Sequence, residues 1–217
     1  MNLRDDLQRI YKEGRAKRPA NETEVMDRAA QQLFNTGQAE RATNVGDIAP
    51  GFSLPNATED TVILNDLLRD GPVVLSFYRG SWCPYCNLEL RTLQANIGEF
   101  EARGARLVAI SPQVPDESLS VTEKHDLTFD VLSDVGTTVA QDYGLSFDIP
   151  AELAAIYESR GHDLVRTNGG HDRTLVIPAS YVVGQDGVVS WAFVNSDYTK
   201  RTEPSDMIAA LDALRRT

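Results

Sequence analysis

Hydrophobic residues follow two different periods in the first half of this chain of 217 residues. Residues 73–78 form a continuous apolar run rich in β-branched and aromatic side chains, which predicts a buried strand. The apolar positions that follow recur at helical spacing, at Leu88, Leu90, Leu93 and Ile97. Cys83 and Cys86 lie between the two patterns. The sequence therefore places both cysteines where a strand passes into the N-terminus of a helix.

Similar patterns predict an α/β domain over residues 45–217. A short hairpin over residues 52–64 precedes the buried strand, and further strands are predicted at residues 106–110 and 129–132, separated by helices. The chain then ends in a hairpin, with strands at residues 175–183 and 188–195, and a helix over residues 203–215. This order predicts a central mixed β-sheet with helices on both faces.

Two segments lie outside this alternation. Residues 146–172 are interpreted as an insertion near the active face, with a helix at residues 151–159 and a hairpin turn at residues 168–170. Residues 1–44 predict an N-terminal helical extension, with apolar positions at Leu3, Leu7 and Ile10 on one face. We expect this extension to pack on the domain or on a second subunit of a homodimer. A partner-recognition arm is the alternative.

The charge of the chain limits its partners. The formal net charge is −11, so neither a nucleic acid nor an anionic membrane is expected to bind, because both require basic patches. No apolar run approaches the roughly 20 residues of a membrane span. The N-terminus has no apolar core of a secretory signal, so a cytoplasmic location is expected.

The number of cysteines points to redox chemistry. The chain has two, in a C-x-x-C pair whose disulfide would close a very small loop and add little stability. Zinc needs about four ligands, and the three histidines form no ligand-like pair, so no metal and no cofactor are expected. At a helix N-terminus, unpaired N–H groups and the helix dipole lower the pKa of a thiol. A second thiol three residues on can close a disulfide over the first.

The chain resembles the thioredoxin-fold superfamily, and more closely its peroxiredoxin branch, the AhpC/TSA family. The resemblance is carried by W-C-P-Y-C at residues 82–86 and by three longer stretches, VGDIAPGFSLPN, FDVLSDVGTTVAQDYGL and ASYVVGQDGVV. It is closest to peroxiredoxin-like proteins in which a thioredoxin-type C-x-x-C is followed far downstream by a DYT-R-EP segment, here at residues 197–204. The resemblance covers about residues 45–216 and implies a thioredoxin-like fold.

Departures from the peroxiredoxin pattern affect the expected mechanism. On the motif F-Y-P-x-x-x-T-x-x-C, Arg79 stands at the proline, Cys83 at the threonine and Cys86 at the peroxide-attacking cysteine. Glu89 then matches the family's glutamate. The peroxide-binding arginine of the family falls on Pro178, where a thioredoxin has a cis-proline.

The resemblance to thioredoxins implies roles that differ from those of the peroxiredoxin alignment. By analogy with thioredoxins, Cys83 would be exposed and would attack, and the more buried Cys86 would resolve the mixed disulfide; the peroxiredoxin alignment reverses these roles. Pro178 is predicted to be cis, which would leave the Ile177 backbone free to pair with a substrate.

Other residues near the cysteines have less specific expected roles. Pro84 and Tyr85 would set the turn, and Trp82 would line a substrate groove or pack in the core. Arg79 would stabilise a thiolate or hold a peroxide oxygen, or else lie solvated at the surface. Glu89 would relay a proton or form a surface ion pair with Arg91 or another neighbour. Arg173 is the nearest upstream arginine that could replace the one missing at Pro178.

Three functions are therefore open. The first is a thiol peroxidase that reduces hydroperoxides through a Cys83–Cys86 disulfide and is re-reduced by thioredoxin or a similar dithiol. The second is a thiol–disulfide oxidoreductase that acts on protein or small disulfides. The third is a non-catalytic redox sensor whose output is the helical extension.

Overall fold

A computed structural model describes residues 2–171 and 173–216. The N-terminal extension contains three helices, α1 (Leu3–Ala16), α2 (Ala20–Asn35) and α3 (Gln38–Arg41). They are followed by a small hairpin and a short helix, which are β1 (Ser53–Pro55), β2 (Thr61–Ile63) and α4 (Leu64–Asp70).

The remaining elements build the main sheet and its covering helices. The first group comprises β3 (Val73–Phe77), α5 (Pro84–Ala95), α6 (Ile97–Glu101), β4 (Arg106–Ser111), α7 (Pro115–His125), β5 (Asp130–Ser133) and α8 (Thr138–Asp142). The insertion and the strand that leaves it comprise β6 (Ser146–Asp148), α9 (Ala151–Ser159), α10 (Leu164–Thr167) and β7 (Thr174–Val176). The chain closes with β8 (Ala179–Val183), β9 (Val189–Val194) and α11 (Pro204–Leu214).

The main sheet is mixed, as predicted. Within the described residues its strand order is β5-β4-β3-β8-β9, with β3, β4 and β5 parallel and β8 antiparallel to both of its neighbours. The central strand β3 pairs with β4 on one side and with β8 on the other, and it is fully buried. The predicted α/β fold with a central mixed sheet is therefore confirmed.

Side chains of β3 alternate between two hydrophobic cores, because successive residues of a strand point to opposite faces. Val73, Leu75 and Phe77 enter the core that α4 and α8 cover. Val74 enters the other core, which α1, α5, α7 and α11 cover. Both faces of the sheet thus carry helices, and the helix that follows the cysteines lies on the second face.

The insertion differs from its predicted form. Its strands β6 and β7 pair antiparallel, with Ser146 opposite Val176, so the partners are separated by two helices rather than by a tight turn. The predicted hairpin turn at residues 168–170 is wrong: this segment follows α10 and leads to β7. The predicted strand at residues 175–183 is divided into β7 and β8 at Ile177 and Pro178.

The N-terminal extension packs on the rest of the molecule. Leu3 and Leu7 of α1 are buried in the core beside α5. The Glu203 carboxylate accepts the backbone N–H groups of Leu3 at 3.1 Å and Arg4 at 2.8 Å, and so caps α1 where unpaired donors favour negative charge. Helix α2 packs against α9. The expectation of packing on the domain therefore holds, while the boundary between residues 44 and 45 and the homodimer stay predictions.

None of the helices within residues 2–171 and 173–216 combines the length and hydropathy needed to cross a bilayer.

Candidate active site

The cysteines lie at the junction that the sequence predicts. Strand β3 ends at Phe77, and Cys83 is the N-cap residue of α5, with Pro84 in the first turn of that helix. Gly80 has a φ of +146°, and a Cβ there would lie 2.5 Å from Trp82 Nε1, so this loop requires glycine. The tight loop thus leads to Cys83 at the N-cap and Cys86 in the first turn of α5.

Both cysteines are buried, free thiols in the described part of the chain. The exposed fraction of Cys83 is 1 % and that of Cys86 is 0 %. The expectation that Cys83 is exposed at the start of the helix is therefore wrong, because the side chains of Trp82, Tyr85 and Tyr198 pack against the same core. A reactant that reaches these sulfurs in this conformation has to be small.

Arg201 contacts Cys86 from the far end of the chain. Its Nη2 donates to Cys86 Sγ at 3.2 Å, and its Nε donates to the Glu89 carboxylate in a buried ion pair. Its Nη1 donates to the carbonyl oxygens of Tyr198 and Lys200, each at 2.6 Å. The backbone N–H of Arg79 also donates to Cys86 Sγ, at 3.5 Å. The guanidinium is thus held on three sides and directed at the sulfur.

Arg79 supplies a second buried guanidinium. Its side chain is 3 % exposed, and its Nη2 donates to Tyr157 Oη at 2.7 Å. The guanidinium carbon lies 4.4 Å from the ring centroid of Tyr198, 4.9 Å from that of Trp82 and 5.6 Å from that of Tyr157, in a cage of cation–π contacts. The surface alternative for Arg79 is therefore wrong.

The two cations lower the proton affinity of the dithiol. Burial alone would raise the pKa of the Cys83 thiol, but a hydrogen bond from Cys86 and the charges of Arg79 and Arg201 lower it to about 6. Burial, the hydrogen bond to Cys83 and the charge of that neighbour raise the pKa of Cys86 well above its usual value. Because the pair shares its protons, one leaves near neutral pH and the other is retained.

Glu89 takes part in the same charge balance. Burial raises the pKa of this carboxyl to about 7, although the charge of Arg201 acts to lower it. Two buried guanidinium groups therefore face two acids, Glu89 and one thiol, and the buried cluster is neutral when both acids are ionised. The expected surface ion pair of Glu89 with Arg91 or another neighbour is wrong, since its partner is the buried Arg201.

The remaining predicted site residues surround the cysteines in different ways. Trp82 is half-buried and packs 5.2 Å from the Tyr157 ring and 5.3 Å from the His162 ring, measured between centroids. Pro84 is exposed. The buried Tyr85 meets Tyr198 edge-on at 5.6 Å. Trp82 thus joins an aromatic cluster around Arg79.

Pro178 is buried between β7 and β8, and its neighbour Ala179 pairs with Phe77 at the end of β3. The predicted cis peptide is wrong, because every described peptide bond is trans. The Ile177 backbone is also less free than expected: its N–H donates to the carbonyl of Leu145 at 2.9 Å. Pairing of a substrate strand with this N–H is therefore blocked.

Sequence reasoning did not assign roles to Arg201, Tyr157 and Tyr198. Arg201 and Tyr198 lie in the DYT-R-EP segment, whose recurrence with the C-x-x-C was the available signal. Tyr157 lies in the insertion and carried no motif. Arg173, the suggested replacement for the family's arginine, is exposed, and the arginine at the thiols is Arg201. Across the described residues, no group of three or more His, Cys, Asp or Glu side chains is placed to hold a metal ion.

Comparison with known proteins adds independent information. The model of the AhpC/TSA family matches residues 45–192. Peroxiredoxin Bcp of Escherichia coli K12 is 33 % identical over 100 residues, which cover 46 % of this chain and 64 % of that protein. Alignments with curated relatives span from 62 % to 65 % of those proteins' lengths.

Solved structures extend the similarity over more of the chain. Peroxidoxin BcpB from Mycobacterium tuberculosis superposes with a TM-score of 0.62 at 25 % identity, over 80 % of this chain and 99 % of that one. The reduced 2-Cys peroxiredoxin of Plasmodium vivax superposes with a TM-score of 0.62 at 19 % identity, over 80 % of this chain and 98 % of that one. The similarity to the Plasmodium vivax protein shows that the two chains share a fold.

Proposed function

Because this chain belongs to the AhpC/TSA family, we propose that it is a thiol peroxidase that reduces hydroperoxides through Cys83 and Cys86. The observation that carries the proposal is the buried dithiol with two guanidinium groups and a lowered pKa. A thiolate at neutral pH is the reactive form of cysteine toward peroxides. Burial of both sulfurs favours a small oxidant over a folded protein.

The cycle has three balanced steps. The Cys83 thiolate attacks one oxygen of the hydroperoxide, the O–O bond breaks, and the alkoxide takes up a proton and leaves as an alcohol. Cys83 is now a sulfenic acid. The Cys86 sulfur attacks it, the disulfide forms, and water leaves. A thioredoxin-like dithiol then reduces the disulfide and is itself oxidised; because both sulfurs are buried, this step requires the side chains that cover them to move.

Residues around the dithiol have separate roles in this proposal. Arg201 and Arg79 stabilise the thiolate and the negative charge that develops on the peroxide oxygens. Glu89 holds Arg201 in place, and its raised pKa suits proton transfer near neutral pH. Trp82, Pro84, Tyr85 and Pro178 shape the surroundings of the sulfurs. We place the cycle in the cytoplasm, where such reductants keep dithiols reduced.

A stopped-flow experiment tests the proposal. Reduced wild-type protein, Cys83→Ser and Cys86→Ser are mixed with hydrogen peroxide and with an alkyl hydroperoxide, and sulfenic acid is trapped chemically. We expect the wild type to oxidise far faster than free cysteine and Cys86→Ser to accumulate sulfenic acid at Cys83. Accumulation in Cys83→Ser instead would assign the attack to Cys86. Oxidation no faster than that of free cysteine would refute the peroxidase.

A second candidate is a thiol–disulfide oxidoreductase. It is favoured by the C-x-x-C pair at the N-terminus of α5, where Cys83 occupies the N-cap position. Small disulfides such as oxidised glutathione are the expected substrates, because the sulfurs are buried and the Ile177 N–H is already bonded. Rapid reduction of insulin by the protein would contradict this restriction to small disulfides.

A further inference from the structure

A cavity of about 320 Å³ lies beside Arg79, between the N-terminal extension and the insertion. This volume lies within the range of small-molecule sites. Most of its wall is apolar, with contributions from Met26, Ala30, Leu33, Phe147, Leu153 and Ile177. Helix α2 supplies one side and lies before the segment that the AhpC/TSA model matches. One wall of this cavity therefore comes from the N-terminal extension and lies outside the segment matched by the family model.

One end of the cavity is cationic. Arg79, Tyr157 and Tyr198 line it there. The exposed fraction of Arg79 is 3 %, and its Nε has no hydrogen-bond partner among the described residues. No described carboxylate forms an ion pair with this guanidinium either, whereas Arg201 is paired with Glu89. A buried guanidinium without a carboxylate partner is costly, so an anion in the cavity beside Arg79 would be stabilised by its charge.

We propose that this cavity binds an amphipathic monocarboxylate, with its carboxylate on the Arg79 guanidinium and its hydrocarbon chain along the wall formed by α2 and the insertion. The carboxylate matches the charge and the planar donor geometry of the guanidinium. The hydrocarbon tail of the ligand matches the apolar wall, which offers few hydrogen bonds to water.

The redox state of the dithiol controls the affinity of this site. In the reduced protein, a thiolate and the Glu89 carboxylate offset the charges of Arg79 and Arg201. The Cys83–Cys86 disulfide carries no charge, so oxidation leaves one buried positive charge uncompensated. A carboxylate then fills the place of the lost thiolate charge. Binding is therefore tighter to the oxidised protein and, by linkage, the ligand favours the oxidised form.

Calorimetric titration of the full chain with decanoate tests the proposal. The disulfide is prepared with diamide, so the experiment does not depend on peroxidase activity. We expect binding to the oxidised protein to be at least about fivefold tighter than to the reduced protein, the low end of typical coupling between sites. 1-Decanol and decyltrimethylammonium, which keep the tail and change the head, are expected to bind at least about tenfold more weakly, because a charged hydrogen bond exceeds that factor.

Matched variants locate the site. Ala30→Leu places a larger side chain in the cavity and should weaken decanoate binding at least about tenfold. The added atoms would displace at least two methylene groups of decanoate from the cavity, and the free energy of burying two methylene groups corresponds to more than a factor of ten. Ala29→Leu on the same wall is the second variant. Ala20→Leu, on the exposed start of α2 and outside the cavity, is the control and should bind as the wild type does. Circular dichroism checks that each variant folds.

Several results would overturn the proposal: no binding of decanoate, equal binding of 1-decanol, equal affinity of the two redox forms, or equal effects of Ala20→Leu and Ala30→Leu. The test is independent of catalysis. A protein that reduces no hydroperoxide but binds decanoate in this pattern would refute the proposed function and support the site.

Discussion

Replacing Arg201 by methionine tests whether buried charge controls the dithiol. The variant removes a guanidinium whose charge lowers the pKa of Cys83 and whose Nη2 lies 3.2 Å from Cys86 Sγ. Two unit charges 4 Å apart interact by about 4 kcal/mol at an effective dielectric constant of 20, which corresponds to about three pKa units. Because Glu89 offsets part of this charge, we expect the first pKa of the dithiol to rise by about two units.

The pKa is measured from the ultraviolet absorbance of the thiolate as a function of pH. Glu89→Gln is the control for the sign of the effect. It removes a negative charge instead of a positive one, so its thiol pKa must not rise. Arg201→Lys keeps the charge without the planar set of donors that contacts Glu89 and Cys86 and should recover part of the shift. Peroxide reactivity at fixed pH should follow the measured thiolate fraction.

Stability has to be separated from charge in this experiment. Arg201→Met leaves Glu89 buried without a partner, which costs about 3–5 kcal/mol of unfolding free energy. The double variant Arg201→Met/Glu89→Gln removes that unpaired charge and is the form to titrate if the single variant unfolds. A first pKa that moves by less than about half a unit in a folded variant, where about two are expected, would refute the charge argument.

Three further predictions concern stability and the loop before the cysteines. The folded pKa of Glu89 is raised to about 7, so its protonated form stabilises the fold below the unfolded pKa of about 4.3. This contribution, about 4 kcal/mol, is lost as the pH rises from about 4.3 through 7. Urea unfolding from pH 4 to pH 8 should show this loss in the wild type and not in Glu89→Gln; equal slopes would contradict it. Leu7→Ala should lower the free energy of unfolding by about 2–5 kcal/mol, because it opens a cavity beside α5. The exposed control Leu119→Ala should lower it less. Equal urea midpoints for the two variants would argue against packing of the extension. Gly80→Ala should slow sulfenic acid formation by displacing Trp82, and unchanged kinetics would show that the loop adapts.

The hydrophobic pattern predicted the strands and helices whose buried faces repeat within one segment of the chain. The apolar run of β3 and the helical spacing after Cys86 located the strand-to-helix junction, because these periods reflect which faces are buried. The hairpin assigned to residues 168–170 failed, since a glycine pair also ends a short helix such as α10. The strands β6 and β7 are three residues each, too short to show a period.

The site was harder to predict because its contacts are remote in sequence. Arg201 is 115 positions from Cys86 and meets it only after β9 returns the chain to the active face. The burial of Cys83 involves Tyr198, which is remote in sequence and which no local pattern reports. The cis assignment of Pro178 came from the thioredoxin analogy and failed where this chain departs from thioredoxins.

The Glu203 cap has a consequence for how the molecule is divided into parts. This carboxylate joins the first turn of α1 to the segment that carries Arg201, so the two ends of the chain are in contact. Both ends lie outside residues 45–192, which contain the family's shared frame. The frame supplies the thiols and Arg79, and the ends supply Arg201, the cap and one wall of the cavity. Trimming this chain to its family segment would therefore keep the cysteines and Arg79 and remove Arg201, one of the two cations that lower the pKa of Cys83.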